Sequence, residues 1–186
     1  TVGMHTYHDA DICVIGGGMS GLCAAVAAAR HGAKVVLMHD RPVLGGNASS
    51  EIRMWISGAG TRVRDLQETG IMEELLLENM HRNPTRNFTT WDALLYEKVR
   101  FEENIELLLN CACCEATAEN GHISSVKGFQ LTTHTWHEVQ AKIFVDSSQY
   151  DDTAAHAGDI TISDVTFRGE YVPGDQPDEP VNEPKL

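Results

Sequence analysis

The chain has 186 residues, with 27 acidic against 14 basic side chains and a formal net charge of −13. Its hydrophobic share of 42% is that of a globular chain, and at this length roughly 68–70% of the unfolded-chain surface is buried on folding, so one ordinary domain with a small appendage is expected. The acidic balance disfavours a nucleic-acid surface or an anionic-membrane surface, both of which need clustered Lys and Arg, and no apolar run approaches the ~20 residues of a membrane span.

Residues 1–10 are polar, carry His5 and His8, and are expected as a loose N-terminal lead-in. Asp11-Ile12-Cys13-Val14-Ile15 is an apolar run ending at glycines, which reads as a buried strand. Residues 19–30 are Ala-rich and read as a helix, with Gly32 in the role that ends it. Residues 34–39 read as a second buried strand. From 40 to 63, Gly45, Gly46, Gly58 and Gly60 mark loop with short pieces. Helical spacing returns over 65–80 through Leu66, Ile71, Leu75 and Leu76, until Asn83-Pro84 breaks it. A further helix is expected over 90–103, with Leu94, Leu95, Val99 and Phe101 inward and Thr89 or Thr90 as its N-cap. Residues 105–109 read as another buried strand. Between 111 and 140, turn signals at Asn120-Gly121 and near Thr133 separate stretches rich in Val, Thr, Ile and Phe, the pattern of a small antiparallel meander, and 142–146 read as a last short buried strand. Residues 164–186 hold four of the six prolines and six acids against two bases, an extended or disordered tail. The expected organisation is a lead-in at 1–10, one α/β domain over 11–163, and the tail at 164–186.

The most informative segment is Gly16-Gly17-Gly18-Met19-Ser20-Gly21. It contains G-x-G-x-x-G with a strand before it and a helix after it. In that setting the first glycine permits a tight turn, the second lets a pyrophosphate approach the backbone, and the third lets helix and strand pack closely. The helix dipole and the free N–H groups of the first turn then face the negative charge. The competing reading is a glycine turn in an ordinary α/β protein. Dinucleotide binding also calls for a group near the end of the second strand to meet a ribose hydroxyl. His39 occupies the usual register and Asp40 lies one place later, so either reaches the ribose, or His39 is a solvent-facing strand end.

Together with Asp40-Arg41-Pro42-Val43-Leu44-Gly45-Gly46-Asn47-Ala48-Ser49-Ser50-Glu51, this loop resembles the N-terminal region of FAD-dependent oxidoreductases of the glutathione-reductase-like fold. The likeness extends to a bacterial group of FAD-dependent oxidoreductases, some of them called xanthan-lyase-related, and covers about residues 9–158. It implies a Rossmann-like FAD/NAD(P)-binding domain with a parallel sheet and a small antiparallel β-meander. It also implies a set of cofactor contacts. Gly16, Gly18 and Gly21 hold the pyrophosphate with Met19 and Ser20 in the same loop; His39, Asp40 and Arg41 lie by the adenosine ribose; Gly45, Gly46, Asn47 and Ser49 follow the flavin side; the backbone near Cys113 edges the adenine. The Gly45-Gly46 doublet and the meander favour FAD over NAD(P). Two departures stand out. Asp146-Ser147-Ser148-Gln149-Tyr150-Asp151-Asp152 lacks the glycines that follow the last strand in the family, and the chain ends where family members continue into a substrate domain. The expected function is therefore the FAD-binding part of a flavin-dependent oxidoreductase, acting by hydride or electron transfer on a small molecule, with the catalytic residues outside this chain and a substrate domain or second chain as partner. The alternative is a diverged, non-catalytic Rossmann-like module that binds FAD weakly or not at all.

The five cysteines are odd in number and irregular in spacing, so a reducing, cytoplasmic setting is expected, with a processed or exported form open because the chain begins at Thr1. Cys111-Ala112-Cys113-Cys114 has no second cysteine pair to complete a zinc site, and His134 and His137 lie three apart on a strand, so no metal is expected. Arg53, Arg62 and Arg64 either meet an anion or are ordinary solvated arginines.

Overall fold

The structure, a computed structural model, describes residues 3–57, 68–119 and 121–148. The described elements are strands β1 (Met4–Ile15), β2 (Val35–Met38), β3 (Ile105–Leu108), β4 (Cys111–Glu119), β5 (His122–Gln130) and β6 (Thr135–Asp146), with helices α1 (Met19–Arg30), α2 (Ile71–Arg82) and α3 (Phe88–Arg100). The strands form one sheet in the order β3-β2-β1-β6-β5-β4. β3, β2, β1 and β6 run parallel, while β5 and β4 are antiparallel to their neighbours.

All four residues of β2 are buried, as expected of a central parallel strand covered on both faces. Alternation along the strands sends side chains to two cores. Val14, Val35 and Leu37 pack with Leu22, Val26, Leu94, Leu95 and Val99 of α1 and α3. Cys13, Ile15, Val36 and Met38 face the other way, onto Ile123, Val126 and Val139 of the meander. The meander lies so close that a Cβ on Gly128 would stand 2.6 Å from Met38 Sδ.

Two expectations about strand extent change. Residues 4–10 are not a loose lead-in: they are the first part of β1, paired in parallel with 135–141. Likewise 142–146 is the end of a twelve-residue strand, β6, whose first half pairs with β5 and whose full length pairs with β1. Residues 4–7 are exposed and polar enough to read locally as loop, but β6 supplies a strand for them to pair with. The helices also shift. α2 begins at Ile71, after Gly70 with φ +68°. α3 begins at Phe88 and is capped by Asn87, whose side chain accepts from Thr89 N–H, in place of Thr89 or Thr90. Phe101 lies past the end of α3 and is 77% exposed, so it is not inward. No helix among the described residues is long and apolar enough to cross a membrane. Arg62, Arg64, Gln149, Tyr150 and the 164–186 tail lie outside the described residues.

Candidate functional site

Two glycine turns meet at the C-terminal ends of β1 and β2, the end at which open parallel sheets bind ligands. The first turn, 16–18, links β1 to α1. Gly16 has φ +100°, and a Cβ there would lie 2.5 Å from the backbone of Ser147, which itself donates to Ile15 C=O at 2.7 Å. The close approach of β6 to the turn therefore requires a glycine. A Cβ on Gly21 would overlap Gly16 O, so the third glycine sets the spacing of helix and strand. Gly18, the N-cap of α1, is different: a Cβ there meets no heavy atom within 4 Å. It faces open space directly in front of the helix.

The second turn docks onto the first. Gly45 N–H donates to Gly17 O at 2.8 Å, and Gly18 and Gly45 form an isolated parallel bridge. Gly45 has φ +106° and lies against Leu95 of α3, whose Cδ1 would be 2.6 Å from an added Cβ. A Cβ on Gly46 would come within 3.2 Å of Gly18 Cα. A 3₁₀ turn, Gly46–Ala48, follows, and Ser50 N–H donates to Asp92 Oδ1 of α3 at 2.9 Å. Arg41 forms a bidentate pair with Glu51 (2.9 and 3.0 Å) that ties the two ends of this loop together.

The structure brings Gly16, Gly18, Met19, Ser20, Gly21, Asp40, Gly45 and Gly46 to this one corner. Two of the expected contacts, His39 and Ser49, are placed otherwise. His39 is buried, not solvent-facing: Gly17 N–H donates to its Nδ1 at 2.9 Å, and its Nε2–H donates to Val43 C=O at 3.0 Å. Both ring nitrogens are engaged by backbone, which leaves neither for a ribose hydroxyl. Burial holds the imidazole below the ordinary histidine range, against the pull of Asp40 and Glu51. Asp40, with its side chain 61% exposed, is the accessible carboxylate at that strand end. Ser49 is fully buried, and its hydroxyl accepts from Glu51 N–H at 3.3 Å, so it supports the turn from beneath. Cys113 is half-buried with its side chain against the meander core, where burial pushes its thiol up to about 12; its backbone sits beside a β-bulge in β4. Asn47 is exposed, and its carbonyl accepts from Met54 N–H at 2.9 Å. Arg53 is exposed, with φ +63° and its Nε–H on Ser50 O.

Two residues escape the sequence motif. Gly17 fills a variable place in it, yet a Cβ there would stand 2.6 Å from Leu44 and 2.7 Å from the His39 ring. Asp92 anchors the second loop from a helix 42 residues later. A run of three glycines is the only sequence signal for the former, and none marks the latter.

A family model described as "FAD dependent oxidoreductase" matches residues 11–162. The chain belongs to the FAD dependent oxidoreductase family. FAD is the cofactor of this family, and the glycine corner suits a dinucleotide. The first-turn N–H groups of α1 have no acceptors within the helix, Gly18 provides no capping side chain, and no acidic residue stands in that turn. As a fold, the family member is similar to the myxobacterial FAD-dependent halogenase CndH (TM-score 0.53, 18% identity, 76% of this chain and 37% of that one). It is also similar to adenylylsulfate reductase from Archaeoglobus fulgidus (TM-score 0.51, 17% identity, 78% and 31%) and to THI4 from Thermovibrio ammonificans (TM-score 0.50, 18% identity, 80% and 61%). The chain thus spans between 31% and 61% of the lengths of these structures. No curated protein matches it in sequence.

Proposed function

We propose that this chain is the nucleotide-holding half of a flavin-dependent oxidoreductase that moves a hydride or electrons between a small molecule and a second acceptor. The observation that carries the reading is the docking of the Gly45 turn onto the Gly17–Gly18 backbone in front of an uncapped helix start. Bound there, FAD supplies the two-electron chemistry, and the protein supplies binding and orientation.

In this reading Gly16 and Gly21 hold the turn against β6 and α1, and Gly18 leaves the pyrophosphate a path to the N–H groups of Met19 and Ser20. Asp40 accepts from the adenosine ribose hydroxyls, with Arg41 beside it. Gly45, Gly46 and Asn47 run along the side toward the flavin, and the backbone at Cys113 edges the adenine. Ser49 acts through the shape of the turn. Substrate recognition and the catalytic acid or base belong to residues outside this set, in a further domain or a second chain.

The test is the visible spectrum of the purified chain before and after FAD is added and the sample desalted, with NAD as competitor. A retained flavin spectrum that NAD does not displace supports the reading. A colourless protein that takes up no FAD overturns it, in favour of a non-catalytic Rossmann-like module.

A further inference from the structure

We infer that His39 is a positioning residue for the cofactor: a neutral clasp that locks the two glycine turns into their nucleotide-binding arrangement and releases them when it gains a proton. The inference rests on the FAD reading above.

A neutral imidazole has one N–H and one bare nitrogen. Gly17 N–H can only donate, so Nδ1, at 2.9 Å, is the bare nitrogen. Val43 C=O can only accept, so Nε2, at 3.0 Å, carries the hydrogen. One ring therefore joins the first turn to the second through its complete donor and acceptor capacity. The joint is tight, because a Cβ on Gly17 would stand 2.7 Å from Cγ of the ring. The backbone of His39 is fixed as well, its N–H on Leu108 O and its C=O accepting from Cys111 N–H, both at 2.9 Å. The same Gly17 accepts from Gly45 N–H. Displacing Gly17 from the ring thus disturbs the contact that aligns the Gly45 turn with the Gly18 face.

A carboxylate at position 39 would accept from Gly17 but has no hydrogen for Val43. A protonated imidazole would turn an N–H toward the Gly17 N–H, two donors in apposition. The clasp works only in the neutral state. Asp40 Oδ1, 3.3 Å from Nδ1, and Glu51 favour the charged ring, while burial and Arg41 oppose it. Cys111, from the adjoining β4, has its thiol pushed up to about 12 and stays neutral.

The experiment combines two measurements on the purified chain. Histidine-selective ¹⁵N NMR reads the tautomer and charge of His39, assigned by its loss in H39N. FAD titrations from pH 8 to pH 5 read the cofactor. His39 is expected as the Nε2–H tautomer at pH 7. FAD affinity should be constant above about pH 6.5 and weaken below it, in step with the His39 ¹⁵N titration, by up to about tenfold per pH unit for one linked proton. The carboxamide introduced by H39N keeps an acceptor for Gly17 and cannot titrate, so this variant should bind FAD at pH 8 within about tenfold of the parent and show no such pH slope. H39L, which loses both bonds, should bind at least about tenfold more weakly at pH 8 with its far-ultraviolet circular dichroism unchanged. An Nδ1–H tautomer, a charged ring at pH 7, a flat parental profile, or the parental slope in H39N each overturn the clasp while FAD uptake at pH 8 upholds the cofactor reading. Failure of the parent chain to bind FAD at pH 8 overturns both. The loss of the His39 signal in H39L gives the same assignment if H39N fails to fold, and a flat parental profile overturns the clasp even where both variants fail.

Discussion

Gly18 and Gly21 belong to one motif, and the structure assigns them opposite consequences on substitution. Gly18 has φ −64° and ψ −179°, extended backbone open to any residue, and nothing lies within 4 Å of where its Cβ would be. Gly18→Val should therefore leave the fold intact, at a cost of about 1 kcal/mol for a poorer N-cap residue. Its branched side chain would stand where the pyrophosphate meets the helix start. Loss of two charge-assisted hydrogen bonds, at about 1.5–3 kcal/mol each, comes to about 3–6 kcal/mol, or roughly a hundredfold to ten-thousandfold in FAD affinity. Gly21→Ala is the reverse case. Its Cβ would overlap Gly16 O, a backbone atom that cannot turn aside, so the expected result is loss of the folded state. Flavin fluorescence titration and thermal unfolding, run in parallel on both variants, separate the two roles. A folded Gly18→Val chain with parental FAD affinity would refute the placement of the pyrophosphate, and a stably folded Gly21→Ala chain would refute the packing argument.

Three further outcomes follow from the core and its surface. Leu95 is fully buried and backs Gly45; Leu95→Ala should destabilise the chain by about 2–5 kcal/mol and lower FAD affinity as well, read by chemical denaturation and titration. Asn83 is buried between α2 and α3, donating to Asn79 Oδ1 and Asn87 O and accepting from Asn87 N–H; Asn83→Ala leaves these groups unpaired and should cost about 2–3 kcal/mol, seen as a lower Tm. Glu74 joins α2 to Arg30 of α1 and Lys98 of α3, and its bonds to Arg30 and then Lys98 hold its carboxyl down to about 2. A depressed carboxylate contributes stability above its unfolded value, near 4.5, and loses it as pH falls toward about 2. Its side chain is 40% exposed, so solvent screening limits the effect to about 1 kcal/mol or less. Glu74→Gln should therefore be less stable than the parent at pH 7, with the difference vanishing near pH 2 in denaturant melts.

The parts of the molecule that repeat locally were legible in the residues. The apolar run into Gly16, the Ala-rich helix over 19–30 and the buried second strand each carry their own signal, because a strand covered on both faces must be apolar throughout and an Ala-rich stretch has little alternative to helix. The three motif glycines were likewise readable, since backbone proximity to a helix start needs them in any such turn. The Asn87 cap and the late start of α2 depend on boundary details that periodicity does not resolve.

What only the tertiary structure decided involves partners distant in the chain. Residues 4–10 become strand because β6 lies beside them. His39 looks locally like a strand end free to meet a ribose. It is buried because the Gly17 amide and the Val43 carbonyl converge on its ring, and that convergence exists only once two loops 22 residues apart are folded against each other. A residue's chemistry here follows from which donors and acceptors surround it, and sequence spacing carries no record of that.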